Sequence, residues 1–296
     1  MSSDSGLPGP DTMSAVCRVF GVDGRNARQL HQRSNAVWLV DTLVVRLAPD
    51  TELRRERAVT ALAVTRWLAE EGMSIALAPV DGEQPVYADG AVATFWPYRP
   101  SDEQPGPAEL GELARRLHSV DVPPFSVPRY RPLRRLREAL AVDEARAISA
   151  LPGEDREWLR EQADRLVTRF AATRFPLGEG LIHGDLHGEN AVMDRSRWVL
   201  IDWDNAAVGP RELDLVGTLP DHFHEPDTYR RQFTHAYGYD LLDWPDWTLL
   251  RDITEFHSLG SYIRLAPSNA AAATELARRL RSLRTGDRSI VWQSVS

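Results

Sequence analysis

Two short stretches in the second half of the chain constrain its fold more than any other feature. Residues 181–190 read LIHGDLHGEN, and residues 198–205 read WVLIDWDN. In each stretch a short apolar run leads directly into residues with carboxylate, imidazole or amide groups. Apolar runs of this length with polar ends are typical of short buried strands. The pattern therefore predicts two strands that each end in a polar loop.

The spacing of these polar residues favours phosphoryl transfer. Asp185 and Asn190 have the D-x-x-x-x-N spacing of a kinase catalytic loop, and His183 precedes the aspartate by two residues. Asp202 ends the following apolar strand. The reaction needs a carboxylate beside the acceptor hydroxyl and hard oxygen ligands for the magnesium ion that bridges the phosphates. His183 is predicted to be a packed support of the loop rather than a chemical participant.

Two other interpretations of the same residues remain open. His183, Asp185 and His187 form an H-x-D-x-H pattern. Together with Asp202 and Asp204, this pattern could hold a transition metal in a hydrolase. A nucleotide-binding pseudokinase is a further alternative, because one lysine expected of a kinase is missing. The kinase interpretation explains more of the chain, including its two-part layout.

The chain changes character near residue 100. Before that point the sequence predicts helices at 12–20 and 51–71, a hairpin of 35–40 with 42–48 that turns at Asp41, and strands at 75–79, 85–87 and 91–96. After a linker at 97–107, helical periodicity dominates at 108–120, 132–150, 155–173 and 211–283. We predict a flexible tail over 1–12, a nucleotide-binding N-lobe over 13–99, and a C-lobe over 100–296 with the catalytic loop and the acceptor site.

The motifs resemble those of a known family. HGDLHGEN and LIDWDNAAVGPRELDL resemble the loops HGDLHxxN and IDxD of the aminoglycoside-phosphotransferase/choline-kinase family. SNAVWLV–LVVRLAP is similar to its nucleotide-binding hairpin, and TFWPY resembles its hinge between lobes. The resemblance implies an α+β, bilobal, protein-kinase-like fold with a small β-rich N-lobe and a larger, mainly helical C-lobe. It also implies a small-molecule kinase, a phosphotransferase with an alcohol group as acceptor, that uses Mg²⁺ and ATP or GTP.

The resemblance also implies roles for single residues. Asp185 corresponds to the catalytic base, and Asn190 and Asp202 correspond to the magnesium ligands. Where the family commonly has a lysine against the nucleotide phosphates, this chain has Arg46. The chain contains no lysine at all, so every site that needs a basic side chain of permanent charge must use arginine. A guanidinium can contact phosphate through two nitrogens, although its geometry differs from that of an ammonium group.

Further residues are expected around the nucleotide. The glutamate that should pair with the basic strand residue is predicted to be Glu56, with Glu52 as the alternative. No glycine-rich loop precedes the hairpin, so Ser34 and its neighbours are expected to contact phosphate, unless they form an ordinary polar turn. Trp96 and Tyr98 are predicted to line the adenine pocket, and core packing is the alternative for both.

Composition excludes some function classes. The net charge of −8 argues against a nucleic-acid partner and suits a cationic small substrate. No stretch approaches the roughly 20 apolar residues of a membrane span, and the first residues lack the basic start of a signal peptide. The single cysteine favours a reducing compartment. We expect a cytoplasmic monomer or homodimer whose partners are a nucleotide and a hydroxylated small molecule, with no nucleic acid and no membrane.

These observations predict an O-phosphotransferase that moves the γ-phosphate of ATP or GTP onto a hydroxyl of an antibiotic and thereby gives resistance. The family resemblance implies hydroxylated small molecules as acceptors, among them aminoglycoside, peptide and nucleoside antibiotics. The all-arginine composition is typical of GC-rich genomes such as those of antibiotic-producing bacteria, and this association favours an antibiotic. A kinase of a small metabolite such as choline, homoserine or a sugar is the alternative.

Overall fold

The structure is a computed structural model, and it describes residues 7–32, 35–100, 103–224 and 226–295. The chain forms two compact units. The first consists of Met1–Pro128 with Gly180–Val208, and the second of Arg129–Glu179 with Gly209–Ser296. The predicted lobe limits, 13–99 and 100–296, are not the bounds of these two units, and they stay a prediction. Helix α1 (Pro10–Phe20) already begins inside the stretch that was predicted to be a tail.

The first unit contains a five-stranded antiparallel sheet in the order β1-β2-β3-β5-β4. The predicted hairpin that turns at Asp41 is confirmed, and Asp41 has a φ of 52°. The central strands are rich in Val, Leu, Phe and Trp, which suit a pleated surface that is buried. The strands are β1 (Arg28–Gln32), β2 (Ala36–Val40), β3 (Leu43–Pro49), β4 (Val86–Ala88) and β5 (Ala91–Pro97).

Helix α2 (Glu52–Glu70) follows the sheet and matches the predicted helix 51–71 closely. Thr51 caps its start, because the hydroxyl accepts a hydrogen bond from the backbone nitrogen of Arg54 at 3.4 Å. The buried face of α2 includes Val64 and Leu68, which share a core cluster with Trp203. This packing places α2 beside the segment that follows the second polar motif.

The first unit also includes helix α3 (Pro107–His118), a hairpin of β7 (Ala191–Asp194) and β8 (Arg197–Leu200), and a 3₁₀ helix, Trp203–Asn205. The predicted strand at 75–79 is wrong, because it forms only one isolated parallel bridge, Ala76 with Leu200. Two backbone hydrogen bonds join residues 75–77 to Leu200. Pro79 has no N–H with which to continue the ladder.

The second unit is helical. Its core joins residues of α4, α5, α7 and α8, among them Leu136, Leu159, Leu259 and Leu276. The predicted helix 132–150 ends early, at Glu144, because the Asp143 carboxylate accepts hydrogen bonds from the backbone nitrogens of Ala150 and Leu151 and folds the chain back. The helices are α4 (Arg134–Glu144), α5 (Gly153–Ala172), α6 (Asp227–Tyr237), α7 (Trp247–Leu265) and α8 (Ala270–Thr285).

Two more strands, β6 (Glu179–Ile182) and β9 (Ala207–Pro210), pair with one another. The predicted α+β class is therefore confirmed, with a small antiparallel sheet early in the chain and mainly helices later. Among the described residues, no helix combines the length and the apolar character that crossing a membrane requires.

Candidate active site

The first polar loop begins where β6 ends. His183 is buried there, with Nε2 2.8 Å from the backbone oxygen of Ile201 and its ring edge-on to Trp203. Gly184 follows with a φ of 75°, and a Cβ atom at this position would lie 2.6 Å from the backbone oxygen of Asn205. Only glycine therefore lets the two polar loops approach this closely. The prediction that His183 supports the loop is confirmed by these contacts.

Asp185 and Asn190 are brought together by a hydrogen bond across the loop. The side-chain nitrogen of Asn190 lies 2.9 Å from the backbone oxygen of Asp185 and 3.0 Å from Nε2 of His187. Because the amide nitrogen makes both contacts, the amide oxygen is the atom that could bind a metal ion. The Asp185 carboxylate is about half exposed, and one of its oxygens lies 3.8 Å from Nε2 of His187.

Asp202 lies next to this loop, because the backbone nitrogen of Ile201 donates to the backbone oxygen of Asn190 at 2.9 Å. Its own backbone is left-handed, with a φ of 60°, which is uncommon for a residue other than glycine. Strained backbone of this kind costs on the order of 1–3 kcal/mol and is concentrated at functional sites. The structure thus holds two of the predicted metal ligands, Asn190 and Asp202, on adjoining backbone.

Arg46 on β3 reaches the same place. Its Nη2 donates to Oδ1 of Asp202 at 2.7 Å and to Oδ2 of Asp204 at 3.0 Å. Burial of the Asp202 carboxyl raises its pKa, but the charge and the hydrogen bond of Arg46 lower it by more, so the pKa lies below its ordinary value. Asp202 is therefore an anion at neutral pH, as a magnesium ligand must be.

Two further residues extend this cluster, and the sequence did not single them out for this role. The side-chain nitrogen of Asn35 donates to Oδ2 of Asp204 at 3.0 Å. The side-chain oxygen of Asn35 accepts from Nη1 of Arg54, at 3.2 Å, on the first turn of α2. The second acidic residue of the IDWD motif was a signal for Asp204. No local pattern marks its partners, which lie far away in the sequence.

The structure does not bring Glu56 or Glu52 to Arg46. Among the described residues, the acidic side chains that pair with the Arg46 guanidinium are those of Asp202 and Asp204. Glu52 and Glu56 are exposed on α2 and line a separate cavity of about 710 Å³ in the first unit. The predicted pairing is therefore not formed in this structure, since the two aspartates neutralise the guanidinium instead.

The candidates for the nucleotide base have mixed surroundings. On the neighbouring strands β5 and β3, Trp96 lies opposite Val44, and Thr94 lies opposite Arg46. Because residues two positions apart on a strand point to the same face, the side chain of Trp96 shares the sheet face of Arg46. Its indole nitrogen donates to Oγ1 of Thr94 at 2.8 Å. Tyr98 is half-buried just beyond β5. Ser34 lies outside the described residues, so its predicted phosphate contact stays a prediction.

The donor set suits magnesium better than a transition metal. In the part of the chain that the structure describes, no three His, Cys, Asp or Glu side chains are grouped to hold a metal ion. Nε2 of His183 contacts a backbone oxygen, and Arg46 lies against both aspartates. The carboxylate of Asp202 and the amide oxygen of Asn190 form a ligand set that fits Mg²⁺. This ion uses few protein ligands and completes its coordination shell with phosphate oxygens and water.

The family follows from comparison with known proteins. The model of the phosphotransferase enzyme family, APH, matches residues 27–253, which is more than half of the chain. The chain therefore belongs to this phosphotransferase family, and both the predicted resemblance and the predicted enzyme class are confirmed. Comparison with curated protein sequences gives no match.

Solved structures confirm the protein-kinase-like fold. An amicoumacin kinase in complex with AMP-PNP, Ca²⁺ and Ami is 14% identical, with a TM-score of 0.67 and 88% of each chain covered. A choline/ethanolamine kinase family protein from Mesorhizobium loti is 18% identical, with a TM-score of 0.60, covering 94% of this chain and 98% of its own. A spectinomycin phosphotransferase in complex with ADP and spectinomycin is 14% identical, with a TM-score of 0.62, covering 93% and 94%.

Proposed function

We propose that this chain transfers the γ-phosphate of ATP or GTP to a hydroxyl group of a small molecule, with an antibiotic as the acceptor. One observation carries the proposal. Within one compact unit, a strand arginine, Arg46, contacts Asp202, and the loop of Asp202 is hydrogen-bonded to the loop of Asp185 and Asn190. A cation, a metal ligand and a candidate base are thereby gathered within one unit, as phosphoryl transfer requires.

Asp185 is the proposed base. Its backbone oxygen is held by Asn190, while its carboxylate is about half exposed. A carboxylate in this position can orient the acceptor hydroxyl and accept its proton as the oxygen attacks phosphorus. As the new bond to phosphorus forms, the bond between the γ-phosphorus and the bridging oxygen would break and the nucleoside diphosphate would leave. The exposed Asp185 carboxyl would then pass its proton to solvent, which restores the base.

Asn190 and Asp202 are the proposed magnesium ligands, through the amide oxygen and the carboxylate. A bound Mg²⁺ ion would neutralise charge on the phosphate oxygens and fix their orientation. Arg46 is proposed to contact the nucleotide phosphates, because it is the basic side chain on β3 beside this carboxylate. Trp96, Tyr98, Glu56 and Ser34 remain proposed contacts or supports of the nucleotide.

The acceptor class rests on weaker support. The net charge of −8 favours a cationic acceptor. The similar structures include kinases crystallised with the antibiotics spectinomycin and kanamycin, and these names favour an antibiotic acceptor and a resistance function. The choline/ethanolamine kinase family protein favours the alternative, a metabolite acceptor. The proposal includes a cytoplasmic enzyme, monomeric or homodimeric, whose partners are the nucleotide and the acceptor.

A phosphoryl-transfer screen tests the proposal. The purified chain would be incubated with Mg²⁺, with ATP or GTP, and with a panel of hydroxylated antibiotics and metabolites. Mass spectrometry would then detect the gain of one phosphoryl group. We expect an antibiotic product that needs both Mg²⁺ and Asp185. A product from metabolites alone would favour the alternative acceptor class. Nucleotide binding without any transfer, to any acceptor, would favour a pseudokinase, and no nucleotide binding would contradict the proposal.

A further inference from the structure

We propose that Asn35 and Arg54 are positioning residues, which hold Asp204 so that Arg46 stays directed at the nucleotide phosphates. The inference rests on the proposed function and assigns a division of labour to the two aspartates of the IDWD motif. Asp202 is the carboxylate for the metal ion, and Asp204 is the carboxylate that fixes the arginine. Neither Asn35 nor Arg54 is expected to touch the reacting atoms.

The contacts form one continuous chain within the first unit. Arg54 donates to the side-chain oxygen of Asn35 at 3.2 Å, and the side-chain nitrogen of Asn35 donates to Asp204 at 3.0 Å. Asp204 in turn accepts from Nη2 of Arg46 at 3.0 Å. The chain of contacts thus runs from the first turn of α2, through the residue before β2, to the middle of β3. We call Arg54, Asn35 and Asp204 the α2–β3 relay.

The surroundings of the two aspartates differ in the way this division requires. The side chain of Asp202 is 34% exposed, whereas that of Asp204 is 19% exposed. Asp204 accepts hydrogen bonds from two side chains on different strands or strand ends, Arg46 and Asn35. Both donors bind Oδ2 of Asp204, so this carboxylate is tied to two other side chains. Asp202 accepts from one side chain, Arg46, and from the backbone nitrogen of Asp204. The more exposed carboxylate, Asp202, is the one available to a ligand that arrives from solvent.

Charge explains why an asparagine is suited to the middle of the relay. Asp202 and Asp204 carry two negative charges, and Arg46 supplies one positive charge to both. The Asn35 amide can donate to a carboxylate and accept from a guanidinium at the same time, which neither Asp nor Lys can do. It therefore connects the second positive charge, on Arg54, to Asp204. Asn35 is itself buried, so an unpaired amide there would be costly.

The relay also explains why α2 needs no glutamate against Arg46. In the predicted arrangement, Glu56 would pair with the strand cation directly. In the structure, the negative partner is Asp204, and α2 contributes a cation behind it. The first turn of α2 is fixed by the cap of Thr51 on the backbone nitrogen of Arg54, so the helix start and the relay share one residue.

Calorimetric titration of ATP and GTP into the apo protein tests the inference, once with EDTA and once with Mg²⁺. Three relay variants are compared with the wild type: Arg54→Met, Arg54→Lys and Asn35→Ala. Arg66→Met is the matched control, because Arg66 is also on α2 but donates to the backbone oxygen of Gly82. Circular dichroism and thermal unfolding establish that each variant is folded. Arg54 is only partly buried, so its variants remain informative if Asn35→Ala does not fold.

We expect Arg54→Met and Asn35→Ala to weaken nucleotide binding about tenfold, both with EDTA and with Mg²⁺, because a charged contact of this kind is worth about 1.4 kcal/mol. In both variants, the gain in affinity that Mg²⁺ provides should equal that of the wild type. KM for the nucleotide should rise by a larger factor than the factor by which kcat falls. Arg54→Lys should retain most of the wild-type affinity. If Arg54→Met and Asn35→Ala bound the nucleotide within twofold of Arg66→Met, the relay would be overturned. Binding by the wild type would still support the proposed function in that case. No nucleotide binding by the folded wild type would overturn both.

Discussion

Each compact unit contains an arginine that is surrounded by polar partners, and the two arginines differ in how completely they are bound. In the first unit, Nη2 of Arg46 serves both Asp202 and Asp204. In the second unit, Arg279 distributes Nε, Nη1 and Nη2 over four acceptors and lies against three aromatic rings. The acceptors are Glu275, Ser258, the hydroxyl of Tyr262 and the backbone oxygen of Gln293.

The difference separates a site that can exchange partners from a site that cannot. Arg279 is 2% exposed, and each of its nitrogens already has an acceptor. Moving it would take the charge of Arg279 away from the buried carboxylate of Glu275, which is costly. Nη2 of Arg46 lies between two carboxylates, and that of Asp202 is 34% exposed, which supports the proposal that a nucleotide phosphate replaces one of them. If the proposed function holds, similar contacts serve stability in one unit and ligand exchange in the other.

The largest expected effect is on chemistry in the first unit. Asp185→Ala should lower kcat by about a thousandfold or more, since general base catalysis contributes roughly 10²–10⁴-fold. Nucleotide affinity should stay close to that of the wild type, because the Asn190 contact uses the backbone oxygen of residue 185. Steady-state kinetics and calorimetry measure both quantities. Turnover within a few-fold of the wild type would exclude Asp185 as the base.

The next effect is on stability in the second unit. Arg279→Met should lower the free energy of unfolding by about 3 kcal/mol, because Glu275 would lose its buried partner. Urea denaturation measures the loss, and transfer activity per folded molecule should not change. Arg281→Met is the control, since that side chain is exposed on the same helix and its variant should cost at most about 0.5 kcal/mol. Equal losses in both variants would contradict the comparison.

A smaller effect is expected at Asp202. Asp202→Ala should remove the gain in nucleotide affinity that Mg²⁺ provides, and we expect about a hundredfold weaker binding in Mg²⁺, equivalent to about 2.7 kcal/mol. In EDTA the affinity should be unchanged or higher, because a negative charge near the phosphates is gone. Asp23→Ala, at an exposed aspartate of the same unit, is the control. A magnesium dependence like that of the wild type would remove Asp202 as a ligand.

The smallest effect concerns pH and the second unit. Burial of the Asp143 carboxyl raises its pKa, but hydrogen bonds from Ser149, from the backbone nitrogens of Ala150 and Leu151, and from Arg156 lower it by more. The folded pKa is therefore below the ordinary value of 3.8. The stabilisation that the ionised Asp143 carboxylate gives the folded state is complete above the ordinary pKa of 3.8. It is lost as the pH falls through the lowered pKa of the folded state.

Thermal unfolding as a function of pH tests this prediction. The wild type should lose stability below about pH 4 more steeply than Asp143→Asn, which cannot titrate at this position. Asp164→Asn is a suitable control, because Asp164 is exposed in the same unit and pairs with Arg137 at the surface. Parallel pH profiles for the wild type and Asp143→Asn would contradict the assignment.

Local features of the sequence were sufficient for much of the fold and for the order of the site residues. The β2–β3 hairpin and α2 are bounded by residues within the segments themselves, such as Asp41 and the Thr51 cap. The link between Asp185 and Asn190 is equally local, because the side chain of Asn190 contacts residues only three to five positions away. The end of α4 was not predictable in this way, because it depends on where the Asp143 carboxylate finds its donors.

The partners of Arg46 were beyond reach for a different reason. Its contacts with Asp202 and Asp204 span 156 and 158 residues, and no periodicity in one sequence records such a separation. The prediction named Glu56, with Glu52 as the alternative, and finding Arg54 instead would have required the rotational phase of α2. Residues two positions apart in a helix point in nearly opposite directions, so Arg54 is directed towards Asn35 while Glu56 is exposed to solvent.

The guanidinium of Arg46 has a consequence for chemical proteomics. Acyl-phosphate analogues of ATP mark kinases when a lysine amine beside the phosphates attacks the acyl group. This chain has no lysine anywhere, and the arginine at this position stays protonated and carries no nucleophilic lone pair. If the proposed function holds, such reagents would therefore bind at the nucleotide phosphates and leave without a covalent mark. Activity-based profiling of a lysate with these probes would overlook this enzyme even at saturating occupancy.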